Sequence, residues 1–347
     1  MNDIQTTHGL IDLMNIDFIC PHEHLLIDMT HEAIMPKSDD EQMLFNGPVT
    51  MNVLGLLRLN PYIIKTNLVL DSLELAVSEM HELKAIGCEL LVDVTSIGLG
   101  RDARKIKMIA ERAGIPVAVG CGFFTHDAVA KEYQDWDSEK IGSYIIDEIF
   151  FGIDDTGIMP GVIGEIGISK QIAPFEKRSL EGAAIAQRKS GLPIYLHTYP
   201  WSHSGLEAIN LLINEGVPPE RICVCHMDVT FDVDYLYKIL STRAYVEFDN
   251  FGKEFYFLAK DEAFAGGPFE TDRCRIAMLA RLLREGYGRQ LLLANDVCLK
   301  SMLCAYGGLG YGHVHKNMIA MLIAEGATES DINLLITRNP QEFLVKK

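Results

Sequence analysis

The sequence has no run of about 18 apolar residues, so nothing in it reads as a membrane-spanning helix. The first eight residues, Met1-Asn2-Asp3-Ile4-Gln5-Thr6-Thr7-His8, have neither a basic region nor an apolar stretch. They give no sign of a secretory leader. Positive charge is scarce: 31 Lys and Arg stand against 48 Asp and Glu, for a net charge of −17. That balance argues against nucleic acid and membrane surfaces as partners, because both are recognised by clustered cations. No Cys-x-x-Cys pair occurs among the eight cysteines, Cys20, Cys88, Cys121, Cys223, Cys225, Cys274, Cys298 and Cys304. They are expected to be reduced, buried side chains of a cytoplasmic protein. Cys223 and Cys225 could share a metal, but alternation along a strand explains them more simply. No Gly-x-Gly-x-x-Gly follows the first strand, which speaks against an open dinucleotide-binding sheet.

What the chain does have is length, apolar residues and a repeating order. Its 347 residues are 48% hydrophobic and 23% charged, the balance of a globular protein. That length exceeds an ordinary single core but suits one large α/β barrel with insertions. Short apolar runs near residues 17–22, 89–94, 116–120, 161–165, 193–197, 221–226, 244–249 and 291–296 read as strands. Helical patterns fall between them at 72–85, 102–113, 138–151, 174–189, 205–214, 232–240 and 272–285. Further helical stretches follow at 316–325 and 329–337. Residues 28–71 contain Pro36, Gly47-Pro48 and Asn60-Pro61. They read as a long loop with short helices, large enough to cover a site. Strands alternating with helices imply parallel pairing and right-handed crossovers. Eight such units predict a closed (β/α)8 TIM barrel, with residues 1–347 forming one domain.

The residues that end these strands carry the chemistry. Strand one ends in His22 and His24, which alternate onto one face. Strand four ends in Glu165, strand five in His197, strand six in His226 and strand eight in Asp296. In a parallel barrel the C-terminal ends of the strands converge on one mouth. Four imidazoles and two carboxylates there form a ligand set for two divalent ions with a bridging carboxylate. Each histidine alone reads equally well as a satisfied core residue; the joint placement favours metal.

These residues stand in recognisable motifs: Pro21-His22-Glu23-His24-Leu25, Ile163-Gly164-Glu165-Ile166-Gly167, Pro193-Ile194-Tyr195-Leu196-His197 and Cys225-His226-Met227-Asp228. To them are added Phe248-Asp249-Asn250-Phe251-Gly252, Asn295-Asp296 with Tyr306-Gly307-Gly308-Leu309-Gly310-Tyr311, and Asn339-Pro340 with Phe343. Over essentially its whole length the chain resembles the phosphotriesterase family of the amidohydrolase superfamily, and most of all its phosphotriesterase-related branch. The resemblance implies a binuclear centre at the C-terminal mouth of the barrel, usually zinc, with manganese, cobalt or iron as alternatives. His22, His24, Glu165 and Asp296 would bind one ion, and Glu165, His197 and His226 the other. A metal-bridging hydroxide would be the nucleophile, and Asp296 the catalytic proton acceptor and donor. The resemblance also implies a homodimer.

The motifs depart from the wider family in places. A carbamylated lysine is common where Glu165 stands. Cys121-Gly122-Phe123-Phe124 and Asp249-Asn250-Phe251 replace the tyrosine and arginine of many lactonases. Leu299 and Met302 occupy positions used elsewhere to hold a phosphate, which argues against a phosphorylated substrate. Lys253, Phe124 and Phe251 are candidate substrate contacts, with ordinary loop packing as the rival reading; Phe123 and Trp201 are weighed in the same way. Arg273 and Arg275 read as solvated residues at a helix start. His126 and His203 read as surface loop histidines. Asp93 and Asp249 read as partners that orient ligand histidines, or as simple strand-end acceptors. The expected function is a metal-dependent hydrolase acting on a small-molecule carboxyl ester or lactone. Alternatives are an N-acyl amide hydrolase, a phosphotriesterase, or a non-catalytic binding protein that keeps the metals.

Overall fold

The computed structural model describes residues 2–257 and 266–346. Eight strands form one parallel sheet and are numbered here in chain order. They are β1 (Ile19–Glu23), β2 (Leu90–Asp93), β3 (Val117–Cys121), β4 (Val162–Gly167), β5 (Ile194–His197), β6 (Ile222–Val224), β7 (Tyr245–Phe248) and β8 (Leu291–Leu293). Each pairs with its sequence neighbour, so the order around the sheet is that of the chain. Sequential parallel pairing with a helix between strands is the (β/α)8 barrel expected from the sequence. At the seam, the buried Glu23 carboxylate reaches from β1 to the end of β8. It accepts from the Asn295 amide N–H (3.1 Å), from Asn295 Nδ2 (2.9 Å) and from Val297 N–H (2.9 Å).

Two layers of apolar side chains hold the barrel. Ile19, Leu90, Val92, Val162, Tyr195, Cys223, Cys225 and Leu292 fill its interior. Strand residues of opposite parity pack outward on the helices, as alternation requires: Leu91, Ile163, Leu196 and Val246 belong to that layer. The helices begin where short polar side chains accept from free amides. Ser72, Asp102, Asp137, Asp232 and Thr271 cap helices in this way, and Gly114 ends one in the left-handed region. Gly120 faces the backbone of β4; a Cβ there would collide with the Gly164 carbonyl, immediately before Glu165.

The strand and helix spans agree with the sequence reading to within about two or three residues at most ends, the ordinary uncertainty of element boundaries. The elements not expected include a hairpin and a C-terminal helix. Asp3–Thr6 and Gly9–Asp12 form an antiparallel hairpin, too short and polar to stand out. Asn339–Leu344 is helical, with Pro340 tolerated in the first turn. That helix seats Phe343 against Tyr195 and Tyr245 at the floor of the barrel. Residues 28–71 contain two short helices, Asp39–Phe45 and Leu54–Leu59, within irregular chain, as expected. All eight cysteines are free, but only six are buried: Cys274, at the solvent side of a helix, and Cys304 are exposed. No helix among the described residues is long and apolar enough to cross a membrane.

Candidate metal centre

The six residues singled out at strand ends meet in one buried volume. Glu165 lies at its middle. Its Oε1 is 3.6 Å from His22 Nε2, 3.5 Å from His197 Nδ1 and 3.2 Å from His226 Nε2. Its Oε2 is 3.7 Å from His24 Nε2. Asp296 completes the ring, with Oδ1 3.2 Å from His24 Nε2 and 3.7 Å from His22 Nε2. His22, His24 and Glu165 form one group with metal-binding spacing, and Glu165, His197 and His226 another, so Glu165 is common to both.

The backbone pays attention to the same positions. His226 and Asp296 have φ of 64° and 45°, a region that side-chain-bearing residues seldom occupy. Strained conformations of this kind cluster at functional sites, where the surroundings over-determine them. Here each falls just after its strand, at a position whose side chain is a candidate ligand at the mouth.

Hydrogen bonds behind the ring fix which nitrogen three of the four histidines, His22, His24 and His226, present. His22 Nδ1 donates to Glu247 Oε2 at 2.8 Å, leaving Nε2 for the site. His24 Nδ1 donates to Thr95 Oγ1 at 2.8 Å, and that hydroxyl donates onward to the Leu26 carbonyl. His226 Nδ1 donates to Asp249 Oδ1 at 3.1 Å, and Asp249 also accepts from the His226 amide. Asp93 acts one step further back, accepting from the amides of Leu25 and Thr95. Such partners set tautomer and ring orientation in metal sites. Glu247 was not singled out from the sequence. Its signal was there: it lies two residues before Asp249, so alternation places both on the inner face of β7.

The charge balance suits cations. Burial works against the charged form of His22, but the carboxylates of Glu247, Glu165 and Asp296 outweigh it and raise its pKa to about 10. Burial likewise opposes protonation of His226, yet Asp249 and Glu165 push its pKa well up. Glu165 is held well below the ordinary carboxylate range despite its burial, chiefly by His22. Protons are thus drawn to nitrogens that would carry metal. Two atoms settle the fit: His22 Nε2 and Glu165 Oε1 are buried, face one another, and have no hydrogen-bond partner among the described residues. A bound cation would satisfy both.

Lys253 and Phe124 line the cleft that opens on His197, His226 and Asp296, and Lys253 Nζ hydrogen-bonds Asp296 Oδ2. Phe251 is fully buried in the core and borders a neighbouring cavity instead. Phe123 packs among Tyr133, Trp136 and Phe175. His203 is an exposed residue paired with Asp232, as expected, and His126 is half-buried. Arg273 is exposed, but Arg275 is not the solvated residue expected. It turns inward from the same helix start, three residues after Asp272. There its guanidinium pairs with Asp228 (3.0 Å) and Asp272 (2.8 Å) and donates to the Lys253 carbonyl (3.1 Å). Two carboxylates and two carbonyls, those of Lys253 and Asp228, satisfy it, which is what permits its full burial.

A sequence model of the phosphotriesterase family matches residues 2–344. The chain belongs to the phosphotriesterase family. It is 30% identical to an N-acetyltaurine hydrolase of Xenopus tropicalis over 347 residues, covering 99% of this chain and 98% of the other. A phosphotriesterase-related protein of Nematostella vectensis is similar to the same degree, 30% over 347 residues with the same coverage. Among solved structures, a resiniferatoxin-binding protein from Rhodobacter sphaeroides superposes with a TM-score of 0.94 at 30% identity, covering 99% of this chain and 95% of that one. As a member of the phosphotriesterase family this chain is a metal-dependent hydrolase built on a (β/α)8 barrel, with its candidate ligands gathered at one end.

Proposed function

We propose that the protein hydrolyses a carboxyl ester or lactone of a small molecule, using two divalent ions, zinc in the first instance. The observation that carries this reading is the shared Glu165: one buried carboxylate reaches both histidine pairs, the arrangement a two-ion site needs. Imidazole and carboxylate donors suit zinc; manganese, cobalt and iron accept the same donors. When bound, the ions supply a water ionised near neutral pH and a Lewis-acid pull on the scissile carbonyl.

The chain's own residues do the rest. Asp296 divides its two oxygens: Oδ1 faces His24 and His22, and Oδ2 faces Lys253. Burial opposes its ionisation, but Lys253 and the two histidines hold its carboxyl well below the usual range. It is therefore ionised and open to a proton from the attacking water, which it would hand on to the leaving group. The Lys253 ammonium holds Oδ2 beside the cleft that both residues line. Met29, Phe124, Val229, Phe255 and Leu299 wall the cleft with apolar surface and exclude bulk water from the carbonyl.

A second reading, hydrolysis of an N-acyl amide, is favoured by the relatives named N-acetyltaurine hydrolase. The likeness to a resiniferatoxin-binding protein raises the different possibility of binding without turnover. An Asp296 aimed at the mouth speaks for turnover, because binding alone needs no proton acceptor. The deciding experiment offers an activated aryl ester, a γ-lactone and an N-acetyl amide to zinc-loaded protein, with and without a chelator. Chelator-sensitive turnover of the ester or lactone supports the proposal. Turnover of the amide alone selects the second reading, and no turnover of any selects binding.

A further inference from the structure

The cleft above the candidate metal ligands is mostly apolar, but two charged side chains besides the ligands enter its wall: Glu32 and Lys253. They are not equivalent. Lys253 is buried and its ammonium is already matched by Asp296 Oδ2. Glu32 has no such match. Its Oε1 lies 3.5 Å from His31 Nε2, but burial and the neighbouring His197 lower the His31 pKa, so that ring is neutral near pH 7. Asp127 adds negative potential nearby; burial first, and Asp127 second, push the Glu32 carboxyl up to about 7. Among the described residues, no lysine or arginine pairs with it.

Glu32 is also held in place. It ends the single-turn helix Thr30–Glu32. The chain on either side is pinned by backbone hydrogen bonds, Met29 N–H to the Leu68 carbonyl (2.9 Å) and Ile34 N–H to the Tyr62 carbonyl (3.0 Å). Met29 and Tyr62 line the same cleft, so the backbone that carries Glu32 is fixed relative to the apolar wall. Above about pH 7 this group is ionised, and a carboxylate short of counter-charge, set in a wall of low polarity, attracts a cation or a hydrogen-bond donor. It repels an anion that must shed its water to approach.

We propose that Glu32 sets the charge preference of the cleft: the part of the substrate remote from the scissile bond is a cation or a neutral hydrogen-bond donor, and anionic substrates are rejected. This rests on the acyl-hydrolase reading above and adds the substrate's charge to it. Specificity of this kind comes from an unfavourable juxtaposition as much as from a favourable one.

The test uses two matched sets of compounds that differ only in the remote group. N-acetylethylenediamine, N-acetylethanolamine and N-acetyltaurine place an ammonium, a hydroxyl and a sulfonate on one two-carbon amide frame. Acetylcholine, 2-hydroxyethyl acetate and 2-acetoxyethanesulfonate do the same for esters. Binding to zinc-loaded full-length protein is measured by calorimetry and turnover by kcat/KM, both at pH 8, where Glu32 is ionised. In each set the cationic or neutral compound is expected to bind at least about tenfold better than the sulfonate. Glu32→Gln should shrink the cation-over-sulfonate ratio about tenfold, and Glu32→Lys should reverse it. Metal content confirms that each variant is folded. Tightest binding of the sulfonate by the parent overturns the proposal. So does a ratio that Glu32→Gln leaves unmoved, or a failure of all six compounds to bind at millimolar concentration. If they bind in the expected order but none is cleaved, the acyl-hydrolase reading fails and the charge preference stands.

Discussion

Glu247 Oε2 accepts the hydrogen bond of His22 Nδ1 at 2.8 Å, with neither side chain exposed to solvent. The carboxylate makes the ring a better donor to a cation at Nε2 and stops it from turning over. Replacing it by a neutral amide of the same shape keeps an acceptor but removes the charge. Glu247→Gln is expected to weaken metal binding about 10- to 100-fold, the usual scale for a partner behind a metal ligand. Competition against a chromogenic chelator measures it. Parent-like affinity would show that the pair only packs the barrel interior.

Asp296→Asn tests the proton path. The amide keeps an oxygen toward His24 but cannot take a proton, and Lys253 loses the charge it faces. Turnover of the ester or lactone should fall at least about a hundredfold, the scale of general acid–base help, with metal content retained. Elemental analysis beside steady-state kinetics decides the matter. Near-parent turnover would remove Asp296 from the mechanism.

Much of this site was legible before any coordinates, for a physical reason. In a parallel barrel, side chains at strand ends are brought together by topology alone. Reading His22, His24, Glu165, His197, His226 and Asp296 off strand ends therefore amounted to locating the mouth, and the structure brings all six together there. What lies between strands was harder. The inward turn of Arg275 depends on Asp228, 47 positions earlier in the chain, and no local pattern announces that pairing. Glu247 looked like one polar residue in an apolar strand, and its meaning came only from His22 across the barrel. Phe124 and Phe251 follow two different strands in similar fashion; loop geometry alone puts one at the cleft and the other in the core.

Acid stability should depend on His315. Its ring stacks on Phe18 with centroids 3.4 Å apart, and neither ring nitrogen has a hydrogen-bond partner among the described residues. Burial lowers its pKa from 6.5 to about 3. Above pH 6.5 the folded and unfolded chains both hold it neutral, and protonation adds no cost. Between about pH 6.5 and 3 the unfolded chain binds a proton that the folded chain refuses. Stability is therefore lost as pH falls, by up to about 1.4 kcal/mol per unit. His315→Phe keeps the stacking and removes the proton site. In urea unfolding, the stability difference between the two proteins should shift toward the variant by about 2.7 kcal/mol from pH 7.5 to pH 4.5. Parallel acid slopes would mean that the ring finds a proton-accepting partner in the folded state.

Reconstitution tests the centre most directly, through Glu165. A lysine can bridge two cations only after carbon dioxide adds to its amine and supplies a second oxygen. Glutamate already has both oxygens, and the side chain reaches from β4 to all four histidines: Oε1 lies within 3.6 Å of His22, His197 and His226, and Oε2 within 3.7 Å of His24. It is also ionised without any chemistry, since His22 and its fellow histidines hold its carboxyl well below the ordinary range against the effect of burial. Stripped protein should accordingly regain full activity from zinc alone, at the same rate in bicarbonate-depleted and bicarbonate-supplemented buffer. Glu165→Gln removes the charge that both histidine pairs share and should bind the second ion at least about tenfold more weakly, since a neutral amide is a poor partner for two dications. Titration of the two apo-proteins with zinc, followed by calorimetry, reads the stoichiometry and the affinity separately from turnover. A dependence on bicarbonate, or two tight sites in Glu165→Gln, would assign the bridge to some other group and leave Glu165 as a buried acceptor between histidines.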